Sequence, residues 1–417
     1  MPYRKGMFEE VKEAYDKGEV TEEEIDVCVG RTIDLINKIQ DMKPLRKVET
    51  NVNERHNIAK EGVYGGAVLL KNNGVLPMKK GSKIGVTGLF INNVHCGGGS
   101  AHVWNLWEVL DIDKTIKNAD PTATVIKEDF LIARQVKDTI KWNPIEDVTK
   151  YFDGVDYAVI RIGNSRRDEG EGFDRDSIKL SPLTEGFINY VGDNFKGKTI
   201  VVLYAGSAID VSSWIDAVDA VLLVGFGGEM VNQGATDILF GDVNPSGKLT
   251  ETWPMKLEDI SCLNRYNKYM TKDFYTDGVY VGYRHYDKNN ITPRYEFGYG
   301  LSYSKFDYSD LSVTDLGDKL QVSYFIKNVS NVDGKEISQI YMYSPATEID
   351  RPVKELIGYD KTLIKAGETA KITVTIDKEV MCYFDVNTDA FKFEKGTYQI
   401  AVGASSRDIK LREKIEL

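Results

Sequence analysis

Four short apolar runs constrain this chain more than any other feature: Ile84-Gly85-Val86-Thr87-Gly88-Leu89, Tyr157-Ala158-Val159-Ile160-Arg161-Ile162, Thr199-Ile200-Val201-Val202-Leu203-Tyr204 and Ala220-Val221-Leu222-Leu223-Val224-Gly225. None of them alternates apolar with polar residues, so a sheet with one wet face is excluded. Stretches of helical character lie between them, Glu128–Lys141, Pro182–Asn194 and Met230–Phe240 among them. Strands that are apolar on both faces need helices on both faces, which predicts a mostly parallel α/β sheet over residues 55–255. Glycines follow each run, at Gly97-Gly98-Gly99-Ser100, in the octet Asp168–Arg175, at Gly206-Ser207 and at Gly225-Phe226-Gly227-Gly228-Glu229. In a parallel sheet these segments share one edge, where open α/β sheets bind ligands.

The pattern changes twice further on. Residues 256–305 are dense in Tyr and Phe, from Tyr266 to Tyr303, and read as a connector whose rings staple neighbouring domains; stacking on sugar is the alternative use of such rings. From 306 to 417 the chain alternates, with Leu320, Val322, Tyr324 and Ile326, then Ile372, Val374 and Ile376, then Tyr398, Ile400 and Val402. Turns at Asn331–Gly334 and Lys365–Glu368 separate these runs, which predicts a β-sandwich.

Residues 1–54 hold two helices, 8–17 and 21–40, and a polar linker over 41–54. Thr21 and Glu24 form a capping-box pattern. Ile25, Cys28, Val29, Thr32, Ile33, Ile36 and Ile39 then recur at helical spacing. A helix pair buries too little to stand alone, so its apolar face needs something to dock on.

Charge narrows the partners. With 53 Lys and Arg against 64 Asp and Glu the chain is formally −11, which disfavours a nucleic-acid or membrane-surface binder because phosphate neutralisation needs a basic face. Cys28, Cys96, Cys262 and Cys382 form no CxxC pair, so they read as reduced and mostly buried rather than as a zinc site or a disulfide framework. No apolar run approaches a membrane span and no secretory h-region stands near Met1, making the cytoplasm the default location. Gly192–Thr199 fits the phosphate-loop pattern GxxxxGK[ST] but leaves a helix and enters a strand, the reverse of a phosphate cradle. An esterase elbow, GxSxG, is lacking.

The octet Asp168-Glu169-Gly170-Glu171-Gly172-Phe173-Asp174-Arg175 concentrates carboxylates on a glycine-rich turn. On chemistry alone Asp168, Glu169 and Glu171 are equal candidates for a general acid. Several motifs choose among them. Val68–Pro77 resembles the "VLLKNxGxLPL" segment of family 3 glycoside hydrolases, Gly97–Ser100 its glycine-rich serine loop and Gly170–Arg175 its "GEGYDR". Asp237–Leu249 and the pair Val281–Arg284 and Phe297–Tyr303 are similar to two further family runs, nearly residue for residue.

That resemblance covers essentially the whole chain. It implies an α/β sheet sandwich followed by a fibronectin type III-like β-sandwich, with residues 3–40 as closing helices of a (β/α)8 barrel. It places Glu171 as the acid/base and Ser100 in contact with the sugar, while Asp174 and Arg175 pair to shape the loop. His95 and His102, beside that serine loop, read as packed or solvated. The barrel and its "SDW"-type nucleophile segment do not occur in these 417 residues. The expectation is therefore the acid/base half of a retaining β-glucosidase-like enzyme acting on small β-glycosides. A barrel polypeptide or domain would supply the nucleophile, and the chemistry requires no metal or organic cofactor. A non-catalytic carbohydrate-binding or assembly protein is the alternative.

Overall fold

The computed structural model describes residues 6–42, 51–88, 110, 112–127, 151–164, 175–263, 272, 274–345 and 349–417. The chain divides into two units, residues 1–55 and 56–417, each described on its own.

The first unit carries α1 (Met7–Asp16) and α2 (Glu22–Met42). The capping box forms as the sequence predicts: Glu24 N donates to Thr21 Oγ1 at 3.2 Å and Thr21 N donates to Glu24 Oε2 at 2.9 Å. The Thr21 N–H, together with the Thr21 hydroxyl that donates to the same Glu24 oxygen at 3.0 Å, holds the Glu24 carboxyl below its ordinary range. Neither helix buries a residue; Phe8 is 70% exposed and Leu35 58%. The expectation for the cysteines fails here and in the second unit, since Cys28 and Cys262 are exposed and Cys382 is half-buried, although all three are free. Cys28 falls on a helix whose apolar face is uncovered, so its helical spacing buries nothing.

The linker reading of 41–54 also needs correction. A third helix, α3 (Val52–Gly66), begins inside that range, because Asn51 Oδ1 accepts from Asn53 N at 3.0 Å and Glu54 N at 3.4 Å. This is an ordinary Asn N-cap.

In the second unit β1 (Val68–Asn72), β2 (Lys83–Gly88), β3 (Thr124–Lys127), β4 (Tyr157–Gly163), β5 (Lys198–Tyr204) and β6 (Ala220–Leu223) form a six-stranded sheet ordered β1-β6-β5-β4-β2-β3. All pairs are parallel except β1 with β6. The helices α4 (Ile112–Ala119), α5 (Pro182–Asn194) and α6 (Val231–Leu239) accompany it. Ser181 caps α5 through Thr184 N, with Pro182 opening the helix. One core gathers Ile160, Ile162, Phe187, Val201 and Trp214. A second, on the opposite side of the strands, gathers Val159, Val202, Leu222 and Ile238. Burial on both sides is why these runs do not alternate. Among the described residues no helix is long and apolar enough to cross a membrane.

The two long family-like runs meet by backbone approach. A Cβ on Gly247 would lie 2.3 Å from Ala67 O, and one on Gly300 would lie 2.3 Å from Gly247 O. Gly247→Ala is therefore expected to lower stability by about 1–3 kcal/mol through overpacking. Gly186→Ala, in α5 with nothing within 4 Å of the added methyl, should raise it by about 0.5–1 kcal/mol. Thermal unfolding of the two variants checks this opposition, and equal shifts would refute the backbone-contact explanation.

The connector aromatics staple. Tyr299 Oη donates to Leu70 O at 3.1 Å, Tyr303 Oη to Ile238 O at 2.8 Å, and Tyr283 Oη accepts from Leu356 N at 2.9 Å. Tyr275 departs from this use, being 94% exposed. Beyond the connector helix α7 (Tyr283–Lys288), two antiparallel sheets ordered β10-β9-β14-β15 and β11-β8-β7 face each other. Their strands are β7 (Phe306–Asp315), β8 (Lys319–Asn328), β9 (Gly334–Tyr343), β10 (Glu355–Ile364), β11 (Thr369–Asp377), β14 (Thr397–Gly403) and β15 (Ile409–Glu416). Leu320, Val322, Tyr324 and Ile326 of β8 join Ile340, Ile372 and Ile400 in their common core, as the alternation predicts. A short hairpin, β12 (Tyr383–Asp385) with β13 (Ala390–Lys392), stands apart.

Candidate active site

The strand order locates a ligand crevice before any side chain is considered. From β2 the chain moves outward to β3, whereas from β4 it proceeds the other way through β5 to β6. The direction of winding thus reverses between β2 and β4, and outside the carboxyl ends of such a pair an open α/β sheet has its crevice. β2 ends at Gly88, opposite Arg161 of β4 in the parallel ladder. The segment leaving β2 carries Ser100; the segment leaving β4 at Gly163 carries Glu171.

Ser100, Glu171 and Asp174 lie outside the described residues, as do Asp168, Glu169, His95 and His102. Arg175 is described. Its Nη1 donates to Ser207 Oγ and its Nη2 to Ala208 O, both at 2.9 Å. Asp210 N then donates to Ile178 O at 2.8 Å, and Lys179 bridges to Asp210. The segment that follows the acidic octet is in this way stitched to the loop after β5. Ser207 was legible only as part of a glycine-punctuated turn, since nothing local links it to an arginine 32 positions earlier.

A cavity of about 370 Å³ opens on the same edge, lined by Gly206, Ser207, Gly225, Phe226, Gly227 and Glu251 among others. Beside it His56 Nε2 stands 3.0 Å from Glu229 Oε1, both side chains 17% exposed. A larger cavity of about 950 Å³ opens at the amino edge instead, between Ser82, Tyr157 and Lys198 at the strand starts. Size does not decide between them, because the switch point, and the strand ends from which both motif-bearing segments depart, are at the other edge. The phosphate-loop look-alike lines it through Asn194–Lys198. Its first residues close α5 and Lys198 opens β5, so no helix amino terminus is presented to a phosphate.

In comparison with known proteins, the chain finds relatives across its whole length. Residues 67–303 match the glycosyl hydrolase family 3 C-terminal domain and residues 336–406 the fibronectin type III-like domain. Thermostable beta-glucosidase B of Acetivibrio thermocellus is 34% identical over 426 residues, covering 100% of this chain and 56% of that protein. The structure of beta-glucosidase 3B from Thermotoga neapolitana in complex with alpha-D-glucose superposes with a TM-score of 0.83 at 32% identity, over 99% of this chain and 61% of that one. The GH3 beta-glucosidase of Bifidobacterium adolescentis gives 0.86 at 27%, with the same coverage of 99% and 61%. The chain therefore spans less than two thirds of the length of these relatives. With both of its matched regions in the order those relatives show, the chain belongs to glycoside hydrolase family 3.

Proposed function

We propose that this chain is the acid/base-bearing part of a retaining β-glycosidase, β-glucosidase-like, that removes terminal non-reducing β-linked sugars. The observation that carries the reading is the switch point between β2 and β4, whose two outgoing segments hold Ser100 and Glu171. Glu171 protonates the glycosidic oxygen as the bond to the leaving group breaks, then takes a proton from the water that releases the sugar. An aspartate of a (β/α)8 barrel, on a domain or polypeptide beyond these residues, attacks the anomeric carbon from about 5–5.5 Å away, the carboxyl separation of retaining enzymes. Ser100 holds a sugar hydroxyl, and Asp174 with Arg175 shapes the acid's loop. No metal or organic cofactor enters the step.

The uncovered faces of α1 and α2 give the barrel a place to dock. Phe8, Val11, Ile33, Leu35, Ile36 and Ile39 are all 43–70% exposed, a larger apolar display than soluble monomers keep. Mixing the purified chain with a family 3 barrel polypeptide at micromolar concentration tests the reading, with size-exclusion chromatography and hydrolysis of a β-glucoside as readouts. A complex that hydrolyses supports it. A complex without hydrolysis turns the reading toward a non-catalytic carbohydrate-binding or assembly protein, and no complex removes the barrel partner.

A further inference from the structure

Arg161 is fully buried in the middle of an otherwise apolar strand. A guanidinium stays charged under all ordinary conditions, and taking it out of water is costly enough that a well-packed hydrocarbon of similar volume is often as stable or more so. Val159 and Ile162 show that β4 accepts hydrocarbon on either face. Stability of the sheet therefore gives no reason for an arginine at this position.

Its contacts do. Nε donates to Tyr204 Oη at 2.8 Å, Nη2 donates to Tyr204 Oη and to Asn232 Oδ1, and the guanidinium carbon stands 4.9 Å from the centre of the Tyr204 ring. Tyr204 Oη donates to Asn232 Oδ1 at 3.1 Å, and Asn232 Nδ2 donates to Leu110 O at 3.0 Å. Burial raises the tyrosine hydroxyl above its ordinary range, so it remains a donor. The network thus joins the ends of β4 and β5, the first turn of α6, and Leu110. Arg161 faces Gly88, the last residue of β2, across the switch point. Two residues beyond it β4 ends and the chain runs toward Glu171, while Leu110 stands where the chain returns from the segment of Ser100.

We propose that Arg161 is a positioning residue, which through Tyr204 and Asn232 fixes the two segments leaving β2 and β4 relative to each other so that they serve one substrate. This rests on the reading of Glu171 and Ser100 given above. A planar, forked donor suits the task, because it holds two acceptors in fixed directions as a lysine cannot.

The test uses the full chain with its barrel partner and the variants Arg161→Met, Arg161→Lys and Asn232→Ala. Arg161→Met is expected to lower kcat/KM on alkyl β-glucosides by on the order of 10²-fold, the usual effect of a small misplacement of reacting groups, and to lower it much less on activated aryl glucosides. Arg161→Lys should recover little. Equal loss on both substrate classes, or full recovery by lysine, overturns the proposal. Amide exchange of the chain alone gives an arm that needs no activity: Arg161→Met should speed exchange over 97–110 and 164–175 but not in β5. Should that variant fail to fold, Asn232→Ala, which removes the link to Leu110 together with the acceptor shared by Arg161 and Tyr204, should speed exchange over 97–110. Unchanged exchange there refutes the positioning role whether or not the assembly hydrolyses anything, whereas changed exchange without hydrolysis refutes only the glycosidase reading.

Discussion

Glu171→Gln, assayed with a barrel partner, should lower kcat on alkyl β-glucosides by about 10²–10⁴-fold, the range general acid catalysis supplies, and leave bond cleavage in dinitrophenyl glucosides nearly unchanged. The asymmetry follows from the leaving group. An alkoxide needs a proton as the glycosidic bond breaks, whereas a dinitrophenolate departs without one. The second half of the cycle loses its base in the same variant, so the glycosyl-enzyme should accumulate with activated substrates, and azide, a nucleophile with no proton to lose, should restore turnover. Asp168→Asn and Glu169→Gln serve as comparisons, because chemistry alone ranks them equal to Glu171. If either reproduces this pattern and Glu171→Gln does not, the motif register is misplaced. Equal loss on both substrate classes would make the residue structural.

How far this was legible before the structure depends on the range over which each signal acts. Tyr157–Ile162 and Thr199–Tyr204 announced buried strands because burial on both faces leaves its mark within one run. Pro182–Asn194 announced a helix because its cap and its proline are local. The direction of β1 was not legible: Val68-Leu69-Leu70 is as apolar as a parallel strand, and its antiparallel pairing, with a register shift between Leu69 and Lys71, is made with β6, far along the chain. The short β3 and α4 escaped notice for lack of a full period. Arg161 is the clearest case. Nothing in the apolar run around it announces its burial, and two of its acceptors lie 43 and 71 positions away. The positions of Glu171 and Ser100 came from motif register, while the strand order independently brings the ends of the two strands that those segments leave to one switch point.

The largest stability effect is expected at the joint between connector and sandwich. Asp287 of α7 accepts a hydrogen bond from Lys354 Nζ, with side chains only 9% and 7% exposed, and its other oxygen lies 3.3 Å from Arg407 Nη2. Removing one member of a buried pair leaves the other charged and unpaired, at a cost of about 3–5 kcal/mol. Asp287→Ala should lose that much in denaturant unfolding, because Lys354 then has no described carboxylate against it. Adding Lys354→Met should return most of the loss, since the stranded charge goes with it. The exposed pair Lys319–Asp377, at 3.1 Å with side chains 55% and 64% exposed, provides the contrast, and Asp377→Ala should change little. Arg407 also donates to Ile291 O at 2.7 Å, so the same three side chains hold the connector to the sandwich. Asp287→Ala should consequently separate one cooperative transition into two, the sandwich unfolding apart from the α/β sheet. A single transition with a shift below about 1 kcal/mol, the range of exposed pairs, would mean that the aromatic contacts of Tyr283 hold the joint without the ion pair.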